Sequence, residues 1–140
     1  MFEPTRDQAR GFFFETWRKY RAGEPLAGVE TVILDVILLH PEYHDLLAEP
    51  ARYQDKDYTE ESNPFMHMSL HLAMEEQLSI DQPAGIVQRV AALAARTGDR
   101  HAALHEGIEC LAEMVWRSQR DGKPPDAVSY LECLDGRARK

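Results

Sequence analysis

The chain has no Cys-x-x-Cys pair, no glycine-rich phosphate loop, no Gly-x-Ser-x-Gly turn and no long apolar run. Each absence removes a class of function. Two cysteines, Cys110 and Cys133, in 140 residues make neither a disulfide framework nor a zinc knuckle. Without the phosphate loop or the nucleophile elbow, nucleotide hydrolysis and serine-hydrolase chemistry lose their usual sequence support. The greasiest stretch, residues 32–39, is broken by Asp35 and is far shorter than a membrane span. Basic residues are also in deficit: 16 Lys and Arg against 24 Asp and Glu give a formal charge of −8. A surface of that sign repels phosphate, so nucleic acid is not an expected partner. The cluster Arg137, Arg139 and Lys140 is too short to reverse this and reads as a solvated end.

The start, Phe2-Glu3-Pro4-Thr5-Arg6-Asp7, has no apolar core of a secretory signal. The expectation is therefore a cytoplasmic protein with no membrane association, whose two cysteines are reduced thiols. Hydrophobic residues make up 44% of the chain and charged residues 29%, the balance of a globular domain with a core of its own. Residues 1–140 are expected to form a single all-helical domain, a bundle-like array of about six helices.

Proline and glycine punctuate the elements. Thr5-x-x-Gln8 has the form of a capping box opening a helix to about residue 21, ahead of Gly23. Its apolar stripe is Ala9, Phe13, Trp17 and Tyr20, widened by Phe12 and Phe14. So wide a face is either covered by the fold or is a contact for a homo-oligomer or protein partner, and the scarcity of greasy patches on monomers favours cover. The β-branched run 31–39 has no second strand to pair with, so residues 26–39 are expected to form a buried helix. Pro41 opens a short helical piece to about residue 48, and residues 49–62, with Asp55, Asp57, Glu60 and Glu61, read as a loop. Asn63-Pro64 is a cap followed by proline at the first helical position, starting a helix to about residue 78. Pro83 begins the next, stopped by Gly98. Asp99 caps a long helix to about residue 120, and residues 126–134 make the last.

Histidine is what the chain has in an unusual arrangement. All six fall into pairs four apart: His40/His44, His67/His71 and His101/His105. Chance would supply about a quarter of one such pair. Two pairs continue alike, as His67-x3-His71-x3-Glu75 and His101-x3-His105-x3-Glu109. At about 100° per residue, His71 lies about 40° from His67 and Glu75 about 80° away, on a stripe shared with Leu70, Met74 and Leu78. The second column falls likewise among Ile108, Ala112, Val115 and Trp116.

Imidazole suits zinc, iron, nickel and copper, and carboxylates add charge balance and suit manganese. Two helices bearing these columns can hold one or two divalent transition-metal ions (Zn, Fe, Ni or Mn). The candidate ligands are His67, His71, Glu75, His101, His105 and Glu109, with His44 from a third helix and Glu76 as a supporting group. His40, beside Pro41, is expected at a helix junction instead. Met68 and Ala102 follow the first histidines, so neither column is a zincin motif. Tyr43, Tyr53 and Tyr58 are further candidates near the loop, and Cys110, facing away from His105, reads as a small core hydrophobe. If the site is catalytic, metal-assisted hydrolysis and an oxygen or peroxide reaction are both open. The competing reading is a metal-free helical interaction or structural module whose histidines are core polar groups.

Several segments together resemble a bacterial family of proteins, the domain-of-unknown-function family 1841. They are Arg6-Asp7-Gln8 with Phe12-Phe13-Phe14 and Trp17-Arg18-Lys19, His40-Pro-Glu-Tyr-His44, and the run from Asn63 through His67 and His71 to Ile86. Cys110-Leu-Ala-Glu-Met-Val-Trp116, Gln119-Arg120, Pro125-Asp126 and Tyr130-Leu-Glu-Cys133-Leu134 extend it over nearly the whole chain. The resemblance implies a small bacterial cytosolic protein, brings no catalytic assignment, and favours a site built on His67, His71 and His105 with carboxylates.

Overall fold

A computed structural model describes residues 6–59 and 62–140. Among these there are eight α-helices, one 3-10 turn and no strand, so the all-α expectation holds with more helices than the expected six, two of them, His44–Leu47 and Pro50–Tyr53, being single turns. The chain divides into two compact units, Met1–Leu72 and Ala73–Lys140. The proposed cap Thr5 and the acids Glu60 and Glu61 lie outside the described residues.

The first unit contains α1 (Arg6–Ala22), α2 (Val29–Leu38), a 3-10 turn (Pro41–Tyr43), α3 (His44–Leu47), α4 (Pro50–Tyr53) and the start of α5 (Pro64–Ile80). Its core is Phe13, Phe14 and Trp17 of α1, Ile33, Val36 and Ile37 of α2, Leu47, and Phe65 and Met68 of α5. The run 31–39 is helical, as the lack of a pairing strand requires. The buried face of α1 is turned from the stripe read in the sequence. Tyr20 and Phe12 are exposed, while Arg10 and Thr16 are buried.

Arg10 explains that rotation. Its Nη1 donates to the carbonyl oxygens of Tyr53 (3.3 Å), Gln54 (2.8 Å) and Lys56 (2.7 Å). The guanidinium also lies over Phe65, 4.7 Å from the ring centroid. A cation with these partners is as admissible in a core as an apolar side chain. The segment read as loop therefore carries a helical turn, α4, and is held to α1 through these carbonyls.

The second unit comprises the end of α5 with α6 (Ile86–Thr97), α7 (Arg100–Asp121) and α8 (Ala127–Ala138). α6, α7 and α8 pack on one another. Met74 of α5 faces Gly107 of α7 so closely that a Cβ there would lie 2.8 Å from the Met74 Cε. Tyr130 of α8, fully buried, donates to Gln77 Oε1 at 2.7 Å, and burial pushes its phenol pKa up. α6 begins at Ile86 rather than at Pro83 because Gly85, at φ 95°, turns the chain into it. The cap Asp99 behaves as read: its carboxylate accepts from Ala102 N.

The cysteines overturn the expectation of reduced thiols. Cys110 of α7 and Cys133 of α8 are joined as a disulfide, with Cα atoms 5.9 Å apart. Helical phase put Cys110 away from His105, and that direction is where α8 packs. Nothing in a 23-residue separation could announce the pairing.

Candidate metal centre

The C-terminal end of α2 creates the site. A helix end leaves carbonyl oxygens without intrahelical donors, and they take what the next residues offer. Here the donors are two imidazoles. His40 Nδ1 donates to Val36 O at 2.8 Å and His44 Nε2 donates to Ile37 O at 2.9 Å. The His40/His44 spacing thus closes a helix end across the Pro41 turn, with no need for a shared helical face.

The two histidines then diverge. His44 has its ring 4.3 Å from that of Trp17, and its Nε2 is used on Ile37 O. His40 is 97% withdrawn from solvent and directs its Nε2 toward α5. With its Nδ1–H committed to a carbonyl, the neutral form of the ring carries its lone pair on Nε2. This is the arrangement by which ligating histidines are commonly oriented.

On α5, Asn63 Oδ1 accepts from Phe65 N (3.0 Å) and Met66 N (3.1 Å), fixing the first turn and hence the phase of the helix. One turn on, His67 Nε2 is 3.1 Å from His40 Nε2, and His71 Nε2 is 3.2 Å from His67 Nε2. His71 is 1% exposed. Each of the three offers a ring nitrogen, and these atoms all lie within 4.8 Å of one another. Tyr43 stacks on His40, ring centroids 5.4 Å apart and 10° from parallel, and burial first, then Glu42, raises its phenol pKa.

Three imidazole nitrogens at this spacing pose a proton problem. His67 Nε2 can hold one hydrogen and donate it along one line, yet it meets a nitrogen on two sides. A cation accepts all three lone pairs at once. The spacing suits one: with metal–nitrogen bonds of 2.0–2.1 Å, tetrahedral ligands stand about 3.3 Å apart, and adjacent octahedral ones about 3.0 Å. The donor set therefore fits a transition ion on geometry and on chemistry.

Glu75 takes Arg100 at 2.9 Å, and Glu109, largely exposed, pairs with Arg137. His101 and His105 of α7 lie with ring centroids 4.2 Å apart, both half-buried. Glu76 is exposed. No carboxylate joins the histidines in a ligand group among the described residues. His40 was the member that sequence reasoning set aside. The available signal was a histidine directly after a helix end, where a ring can satisfy the carbonyls and be held rigid.

An all-helical protein with a buried histidine cluster is the class these features define. The sequence model of the domain of unknown function DUF1841 matches residues 5–136, and the chain belongs to that family. No curated protein and no solved structure matches it. No helix among the described residues is long and apolar enough to cross a membrane.

Proposed function

We propose that the protein binds a divalent transition-metal ion, Zn, Fe, Ni or Mn, through His40, His67 and His71. The observation that carries the reading is the approach of three imidazole Nε2 atoms, at 3.1 and 3.2 Å, with His40 oriented by its bond to Val36 O. Neutral nitrogen donors without a carboxylate favour zinc or nickel over manganese, and one ion over a carboxylate-bridged pair. His105, the inner histidine of the second column, is the further ligand that the sequence repeat offers. Such an ion, when bound, supplies Lewis acidity and lowers the pKa of a coordinated water, so metal-assisted hydrolysis is the reaction class favoured. The chain's own part is to fix the tautomer of His40 through Val36 O, with Tyr43 stacked on that ring, and to bury His40 and His71.

The metal-free alternative drew on the aromatic face of α1. Phe13, Phe14 and Trp17 are core residues, so that face supports the interaction reading only at Phe12 and Tyr20.

The test is elemental analysis of tag-free protein prepared without metal-affinity resin or chelator. About one ion per chain is expected. His67→Ala and His71→Ala should lose it, while His44→Ala, whose ring caps α2, should keep it. Loss of metal in His105→Ala assigns a ligand to the second column, and full occupancy restricts the site to the first unit's triad. Wild-type protein that carries no metal, and whose melting temperature ignores added zinc, nickel, iron or manganese, overturns the reading.

A further inference from the structure

The disulfide of the second unit lies at a surface cleft of about 440 Å³ along α7 and α8, to whose lining both Cys110 and Cys133 contribute. The two sulfur residues are unequal. Cys110 is 1% exposed, whereas Cys133 is only partly buried. Thiol–disulfide exchange requires an incoming thiolate to reach one sulfur in line with the bond that breaks, so access decides which sulfur is attacked. Of the two cysteines, Cys133 is the one that retains solvent exposure.

The charges around the cleft say what kind of thiol it suits. Arg117 is held by Glu113 at 2.7 Å and Arg120 by Asp121 at 2.8 Å, so these pairs nearly cancel. Asp126, the N-cap of α8, keeps its negative charge but turns it to Ser129, accepting from its N and Oγ. Lys123 lines the cleft and makes no ion pair among the described residues. Its ammonium is the charge available to an incoming anion.

We propose that Cys110–Cys133 is a reversible modification site for a small anionic thiol of the peptide type, which enters the cleft and reacts at Cys133. The thiolate bonds to Cys133 Sγ. The Cys110–Cys133 bond breaks with its electron pair on Cys110 Sγ, which takes a proton from water. The product is a mixed disulfide on Cys133 and a buried thiol at Cys110. A second thiolate attacks the small molecule's sulfur, releasing Cys133 as thiolate and the oxidised dimer of the small thiol. Two electrons pass to the protein, and the reverse sequence restores the disulfide.

The experiment treats the oxidised full chain with reduced glutathione in non-denaturing buffer, with acid quenching and peptide mapping by mass spectrometry. The expected trapped species carries glutathione on Cys133 and a free thiol at Cys110. An adduct on Cys110, or a disulfide that yields only after denaturation, overturns the proposal. So does a native chain with two free thiols that oxidised glutathione leaves unchanged. In the converse direction, oxidised glutathione should modify Cys133 in Cys110→Ser at least tenfold faster than Cys110 in Cys133→Ser, and equal rates count against it. Lys123→Glu should slow glutathione several-fold and leave neutral 2-mercaptoethanol unaffected, whereas equal slowing of both removes the anion from the proposal. Mapping on the wild-type chain decides the site even if a serine variant does not fold.

Discussion

At the scale of single residues, polar side chains organise the first unit as much as apolar ones do. His40 and His44 are chemically identical and four apart, yet one is aimed at two other imidazoles and the other at a tryptophan. The difference is which ring nitrogen each spends on the end of α2: Nδ1 in His40 and Nε2 in His44. Spacing alone cannot encode that choice, which depends on the backbone turn at Pro41, and this is why the sequence favoured the wrong member of the pair as the neighbour of the His67/His71 column. Arg10 makes the same point energetically. Burial first, and Arg6 second, lower its pKa, but a guanidinium stays charged, so its three carbonyl partners must hold. Arg10→Met keeps the length and removes the donors, leaving the carbonyls of Tyr53, Gln54 and Lys56 unanswered. It should cost about 2–3 kcal/mol in denaturant unfolding. Faster amide exchange is expected over residues 50–57, and exchange equal to wild type there would show that the clamp is not what orders α4.

At the scale of elements, the helices announced by the side-chain caps Asn63 and Asp99 were legible, and the start of α6 was not. Asn63 and Asp99 accept from the N–H groups their positions predict, and both helices begin where read. α6 does not, because its cap comes from outside the local pattern. Asp81, at φ 49°, reaches forward so that Oδ1 accepts from Val87 N at 3.0 Å and from Gly85 N at 3.2 Å. A carboxylate four to six residues ahead of a helix is not a sequence signature. Its effect can be measured through pH. Those N–H groups hold the Asp81 carboxyl below its ordinary value of 3.8. A group whose pKa is lower folded than unfolded binds protons more readily once unfolded. Its stabilisation is then complete above the ordinary value and is lost as pH falls through the folded one. Between about pH 5 and pH 2 the wild-type melting temperature should fall more steeply than that of Asp81→Asn, which keeps an acceptor but has no charge to lose. Parallel acid limbs would show that the charge adds nothing to the start of α6.

At the scale of the whole molecule, composition was a sound guide to class and a poor one to covalent structure. An acidic chain of pI about 5.2 with period-3.6 patterning is all-helical, as read. Two cysteines without a motif carried no sign of being joined, because the joining depends on α7 and α8 packing with their Cα atoms 5.9 Å apart. The cross-link closes a loop of 23 residues in sequence separation. Constraining the unfolded chain over such a loop stabilises by about 3 kcal/mol in the chain-entropy account. Spread over a chain of this size, that is roughly 10 °C in melting temperature. The double variant Cys110→Ala/Cys133→Ala should therefore melt roughly 10 °C below oxidised wild type while keeping its far-ultraviolet helical signal. Reduced wild type should melt close to the double variant, since both lack the same constraint and the packing of α7 on α8 is otherwise unchanged. The comparison separates two origins of any loss. If the variant falls and reduced wild type does not, the loss comes from truncating buried Cys110, at the cost of a small cavity, and not from the cross-link. If both fall together, the cross-link is the source, and adding a small thiol sets the stability of the second unit directly.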